Sequence, residues 1–255
     1  MFILEYLLRV ALLSGMFLVL LVPFLFLGFL MHFLSNMIYD RMGRIFGYKA
    51  YIYITAPGVM VHELSHAFFC LIFGHKIMKI QFFSPENDGT LGYVTHQYYT
   101  KNLYQQVGNF FIGTGPLWGG MFVLWLLSML LLPESAWRVD VENDASKEVF
   151  MNVIFSAYFW KRWQTWLWLY LFFTVASHIT LSPPDLKGAW RGFLYLMLLV
   201  VIFELLFGWW AGLHDVLVNG IMKFFTFALR QMGGILIISF LTVLLFLLFV
   251  PKRKI

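Results

Sequence analysis

Apolar residues in this chain come in long blocks separated by short polar intervals. The blocks fall at about 7–34, 51–73, 116–132, 163–181, 190–212 and 233–250. Each is close to the roughly 20 residues a helix needs to cross a bilayer. The pattern predicts an α-helical polytopic membrane protein with about six transmembrane helices. Pro23 reads as a tolerated kink in the first block. Residues 35–50, carrying Asp40, Arg41, Arg44 and Lys49, read as a polar connector. In the second block Thr55 and Pro57 form a helix start signal, with Thr as N-cap and Pro in the first turn, and Gly74 is the stop.

Between residues 76 and 99 the helical period gives way to two short strands, 76–83 and 90–99, around a turn at 84–89 rich in Asn, Asp and Gly. Residues 107–120 then hold five glycines and Pro116. Such a run at membrane depth must be buried in protein or line a cavity, which predicts a Gly/Pro re-entrant segment after the second helix. A charged stretch at 134–148 sets five acids against Arg138 and Lys147. Residues 149–162 suit a long or interfacial helix, and Trp163, Trp166 and Trp168 mark a membrane interface at the start of the fourth block. Residues 213–232 are amphipathic. No interval is long enough for a separate soluble domain, so residues 1–255 read as one integral membrane domain.

Composition agrees. Hydrophobic residues make up 61% of the chain and charged residues 12%, with mean hydropathy +0.78, whereas a soluble domain is about 25% charged. The net charge of +5 has no basic face with interleaved aromatics, which argues against a nucleic-acid partner. One cysteine, Cys70, excludes an internal disulfide and reads as a small buried hydrophobe. The first block lacks a clear cleavage site and is read as a retained span. With six spans the termini share a side, which the Lys252-Arg253-Lys254 tail marks as cytoplasmic; the expected setting is a prokaryotic plasma (inner) membrane.

One polar cluster interrupts the second block: His62-Glu63-Leu64-Ser65-His66. On a helix, positions i and i+4 share a face, so the two histidines can grip one metal ion. Glu63 is then placed as general base toward a water the metal activates. Three ionisable groups in an apolar helix are unfavourable without partners, which points to a zinc site inside the membrane. Catalytic zinc usually takes three protein ligands. Near-membrane candidates for the third are Asp185, His178, Glu204 and His214. Asp185 is preferred because it follows Pro183-Pro184 at the end of a block, in a segment expected to be irregular. An N-cap for the next helix is its alternative role. His178 is the alternative ligand, or else a partner to a ligand or a donor to the substrate carbonyl. Glu204 has no obvious partner, and His96, in the second strand, reads as a surface residue.

The His62-Glu-Leu-Ser-His66 helix, the turn at Gly74 with its hairpin, the Gly113-Thr-Gly-Pro116 run and the late Asp185-Leu-Lys-Gly188 resemble the site-2 protease family of intramembrane metalloproteases over about residues 51–190. The family often has Gly where this chain has Ser65, and an Asp-Gly pair where this chain has Asp-Leu-Lys-Gly; its usual Asn has only Asn109 as a counterpart, at a different place. The resemblance implies a compact branch without PDZ or CBS domain, one zinc per chain on His62, His66 and Asp185, Glu63 as the catalytic base, and Gly115, Pro116, Asn109 and His178 around the substrate. The expected activity is hydrolysis of peptide bonds in or near transmembrane segments of membrane-protein substrates. The expected partners are such a protein or membrane-bound peptide and the bilayer itself. An extended peptide would add as a strand to the hairpin edge. Two other readings remain: a catalytically inactive metal-binding homologue that binds membrane partners, and an ion-coupled transporter using Glu63, Asp185 and Glu204.

Overall fold

The computed structural model describes residues 2–86, 89–138 and 143–249. The chain is 79% helical with one small two-stranded antiparallel sheet. Helix α1 (Phe2–Phe46) runs straight through the expected polar connector and ends only at Gly47, where φ is +87°. Polarity alone does not stop a helix, and Arg44 in the last turn complements its dipole. A short helix α2 (Tyr48–Ile54) folds back on α1, with the Tyr39 ring 5.2 Å from Tyr48 and 5.4 Å from Tyr51.

The expected second span is broken at Thr55, which separates α2 from α3 (Ala56–Ile72). Pro57 has no N–H for the Tyr53 carbonyl and its ring crowds that group, so α2 cannot continue. Thr55 turns its hydroxyl back to the Tyr51 carbonyl at 3.0 Å and does not cap α3 through its side chain. The stop is as expected. Gly74 adopts φ +66°, its N–H reaches the Leu71 carbonyl and the His75 N–H reaches that of Cys70, a Schellman closure.

The hairpin forms as β1 (Lys76–Gln81) and β2 (Tyr93–Gln97), paired from Lys76 with Gln97 to Gln81 with Tyr93, with a bulge between Ile77 and Lys79. Asn87 and Asp88 of its turn lie outside the described residues. The Gly/Pro run becomes α4 (Leu103–Gly113) and α5 (Gly115–Leu131), bent by 58° at Thr114. Asn102 caps α4 by accepting from Tyr104 and Gln105 N–H, and Pro116 enforces the break before α5.

Three short helices follow: α6 (Glu134–Trp137), α7 (Asp144–Ile154) and α8 (Ala157–Lys161). Residues 139–142 of the acidic stretch lie outside the described residues, as does the Lys252-Arg253-Lys254 tail used to orient the chain. Helix α9 (Trp163–Ala176) is shorter than the predicted fourth span. Helix α10 (Pro183–Phe207) starts seven residues before the predicted fifth span because Pro183-Pro184, expected to be irregular, occupies the first two helical positions, where a missing N–H is harmless. Helix α11 (Ala211–Phe249) joins the amphipathic segment and the last apolar block into one rod.

Among the described residues two helices, Leu21–Phe46 and Pro183–Phe207, are long and apolar enough to cross a membrane, and α4 with α5 makes a bent third. The expected six is not reached by length and composition. At 17 and 14 residues, α3 and α9 fall short of a full crossing alone. Both pack on neighbours along one side, α3 against α4, α5 and α9, and α9 against α5, while Leu64, Phe68, Leu71, Trp163 and Trp166 stay exposed on the other; α4 lies along α10 and α1 along α11. Leu12, Val19, Val22, Phe26, Phe29 and Phe33 stand exposed on α1, as a lipid-facing surface requires.

A candidate metal centre beneath the hairpin

The two histidines of α3 lie one turn apart, with their Nε2 atoms 3.2 Å from each other. Each ring is fixed from behind. His62 Nδ1 donates to the His178 carbonyl and His66 Nδ1 to the Ile112 carbonyl, both at 2.8 Å. The second of these acceptors is a product of the sequence. In an unbroken helix the Ile112 carbonyl would take the N–H of residue 116, but residue 116 is proline. The Gly/Pro run therefore serves the site by freeing a backbone acceptor for His66. Carbonyl partners of this kind set the tautomer and aim the lone pair of the other ring nitrogen.

Asp185 completes the group. It is the third residue of α10 and not its N-cap. Ser182 is the cap, accepting from the Asp185 N–H, while Asp185 Oδ2 accepts from Ser182 N at 3.0 Å and from Ser182 Oγ at 2.6 Å. This reciprocal capping box holds the carboxylate with Oδ1 3.4 Å from His66 Nε2 and Oδ2 3.9 Å from His62 Nε2. One ligand atom from each of His62, His66 and Asp185 lies within 4.8 Å of the other two, so the three could hold a metal ion. Ligands about 2.0–2.2 Å from a tetrahedral zinc lie roughly 3.3 Å from one another, so these residues fit such an ion. Both Nδ1 hydrogens are committed to carbonyls. The group thus turns lone pairs and a carboxylate toward one point, which suits a cation.

Close helix approach builds this geometry. A side chain at Gly58 would strike the Thr174 carbonyl and the His178 ring, so glycine there lets α3 lie against the end of α9 and brings the His178 carbonyl to His62. Across α3, Gly119 of α5 leaves room for Ser65, whose hydroxyl donates to the Val61 carbonyl at 2.6 Å. The hairpin roofs the site: Gly92, just before β2, has no side chain to collide with Glu63. Glu63 is buried and faces the same cavity of about 500 Å³ as His62, His66, Asp185, Asn109 and His96.

The other expected residues divide. Asn109 is buried and lines the cavity, 3.5 Å from the Gln106 side chain. Gly115 and Pro116 do not line it; Gly115 packs toward Ser65 and Phe69 at the start of α5. The His178 ring turns to the Thr174 carbonyl and the Ser177 hydroxyl, so His178 serves the site through its backbone. Cys70 is fully buried and outside the ligand group. Glu204 and His214 are paired with each other 2.5 Å apart, outside that group.

His96, read as a surface residue, is half-buried in the cavity wall. Its Nδ1 lies 2.9 Å from Nδ1 of His75, which is 4% exposed, stacks on Tyr98 and bonds the Gln105 carbonyl through Nε2 at 2.9 Å. Burial above all, then the neighbouring His75, pushes His96 down to about 4, and burial lowers His75. A hint was available in the sequence. His75 directly follows the helix stop, and a hairpin with short strands returns the chain to it.

A scan against protein-family models, a search of curated proteins and a search of solved structures each return no match to this chain. The reading of the site therefore rests on its own geometry.

Proposed function

We propose that this chain is an intramembrane zinc-dependent endopeptidase that hydrolyses peptide bonds in or near transmembrane segments of membrane proteins. The observation that carries the proposal is the convergence of His62, His66 and Asp185 on one point beside buried Glu63, in a cavity within an apolar bundle. A site used only for binding metal has no use for a buried carboxylate next to its first ligand, whereas hydrolysis needs a base there. The resemblance to site-2 proteases supports the same reading.

When bound, zinc would supply a Lewis acid able to polarise a carbonyl and to lower the pKa of a water to about 7. The protein does the rest. His62 and His66 present lone pairs fixed by the His178 and Ile112 carbonyls. Asp185 presents a carboxylate oriented by Ser182. Glu63 takes the proton of the attacking water and passes it to the leaving amine. The cavity admits water, and the hairpin edge offers backbone partners to a substrate helix that has locally unwound. In this reading the chain is a multi-pass membrane protein whose short helices α3 and α9 share the crossing with the helices packed against them.

The test compares purified wild type with Glu63→Gln for bound zinc and for cleavage of a transmembrane reporter. The expected result is one zinc in both and cleavage reduced by about 10²–10⁴-fold in the variant. Equal cleavage by both would sink the catalytic role. Wild type without zinc would sink the metal site, and zinc without turnover on any substrate would favour a binding protein.

A further inference from the structure

The His75–His96 pair has a single self-consistent arrangement of hydrogens when neutral. The Gln105 carbonyl can only accept, so His75 carries its hydrogen on Nε2 and shows a lone pair at Nδ1. His96 must therefore donate from its own Nδ1 across the 2.9 Å contact. Two lone pairs facing each other at that distance would repel. This leaves His96 Nε2 without a hydrogen. It has no hydrogen-bond partner among the described residues, and His96, half-buried, lines the cavity that holds Glu63, His66 and Asp185. Burial and His75 hold His96 at about 4, which keeps this arrangement at neutral pH.

The pair is also anchored. His75 is buried at the open end of the hairpin, just before β1, and stacked on Tyr98. Gln105, on α4, takes the His75 hydrogen at its carbonyl, donates to the Gly74 carbonyl and accepts the Tyr99 N–H. A histidine fixed in orientation and tautomer, in the wall of a cavity of about 500 Å³, is a hydrogen-bond acceptor built in advance. The matching donor on a polypeptide is a backbone N–H, present at every non-proline residue and left unpaired when a substrate helix unwinds.

We propose that His96 Nε2 accepts a backbone N–H of the extended peptide bound in the cavity, with His75 and Gln105 as the positioning residues that fix its tautomer. The inference rests on the proteolytic reading above and adds a substrate contact to it. His96 would act on substrate placement, leaving the metal group and Glu63 unchanged.

The test uses the full chain in detergent with a cleavable transmembrane reporter peptide, and a set of reporters in which single backbone N–H groups near the cleaved bond are replaced by ester oxygen. His96→Phe should bind as much zinc as wild type and lose about 10-fold in kcat/KM, mainly through KM. His96→Gln, whose Oε1 can take the same hydrogen, should recover part of that loss. One ester position should lower wild-type kcat/KM by a similar factor and have no added effect in His96→Phe, or in His96→Gln relative to its own baseline should Phe not fold. Equal kcat/KM in wild type and His96→Phe, loss of zinc in either variant, or ester losses that multiply with the variant at every position would each overturn the contact. A wild type that binds zinc but cleaves no reporter overturns the proteolytic reading, and the contact with it.

Discussion

Near the start of α10, Asp185 sits beside His62 and His66 in the wall of a cavity; near its end, Glu204 meets His214 directly. The two clusters have the same chemistry, imidazole and carboxylate in apolar helices, and lie 19 residues apart, about 28 Å along the helix. Their arrangements are opposite. Both histidines of the first cluster give their Nδ1 hydrogens to backbone carbonyls and keep Nε2 for a common point. In the second, His214 Nδ1 bonds Glu204 Oε1 at 2.5 Å and the carboxylate is 1% exposed. Tyr6 ties the same corner by donating to the Glu204 and Leu205 carbonyls. Groups whose hydrogens are spent on the backbone are free to hold a ligand, while groups that spend them on each other staple α10 to α11. The staple is imperfect, since Glu204 Oε2 is buried with no hydrogen-bond partner.

The largest expected effect breaks the first cluster. Asp185→Ala should lose zinc and leave reporter cleavage below about 1% of wild type, because two ligands rarely hold catalytic zinc against dilution. Metal analysis of the purified variant and an activity assay with added zinc check this. A chelator should give the same loss in wild type, and zinc should restore it.

The next effect falls on the second cluster. His214→Ala leaves a buried carboxylate without its partner and should destabilise the protein by about 3–5 kcal/mol, with bound zinc unchanged in the folded fraction. Replacing both, Glu204→Leu with His214→Leu, should be near neutral or stabilising, because no charge is then left buried. Thermal unfolding in detergent micelles reads both variants. If His214→Ala instead lowers zinc occupancy while folding normally, the two clusters are coupled and the contrast between ligand site and staple fails.

How the chain reveals these two clusters differs as well. His62, Glu63 and His66 are legible because helical spacing alone puts two ligands on one face and a base beside them. Asp185 is legible as the preferred one of four near-membrane candidates, by its place after Pro183-Pro184, but its setting is not. Pro183-Pro184 reads as irregular until Ser182 is seen to cap a helix that starts there. The Glu204–His214 contact spans ten residues across a tight turn after Gly208, and no periodicity links the two ends. The carbonyls behind the ligands carry no side-chain signature at all; Pro116 marks one of them only once the bend at Thr114 is known. The six apolar blocks are legible as apolar helices, but not that α3 and α9 would be only 17 and 14 residues long, too short to cross alone. His96 was misread because strand alternation says which face a residue is on, and not whether that face covers a cavity.

Ser182 gives a milder cut at the first cluster. Ser182→Ala removes the hydroxyl that orients Asp185 and caps α10, leaving the three ligands in place. Zinc affinity should weaken by about 10–100-fold, with about 1 kcal/mol lost in stability. A competition titration against a zinc-binding dye measures the first and thermal unfolding the second. Ser182→Thr should recover most of both. An unchanged affinity would mean that α10 alone positions Asp185.

The smallest effect belongs to the hairpin. His96 has a folded pKa near 4 and that of His75 is also lowered, against an ordinary value of about 6.5 in the unfolded chain. A depressed value in the folded state means that the neutral form is favoured by folding. The contribution is therefore fully present above about pH 6.5 and is lost as pH falls from there toward 4. Because His96 is partly exposed, the whole change should be on the order of 1 kcal/mol. It should act on the hairpin first, since protonation at His96 or His75 puts a charge beside a ring in contact with it. Amide hydrogen exchange of β1 and β2 should quicken between pH 6.5 and 4, after correction for intrinsic rates, and His96→Phe should flatten that dependence. Exchange that slows as pH falls through this window would mean that the pair is held as a charged, shared-proton bridge, and the fixed-tautomer arrangement would not stand.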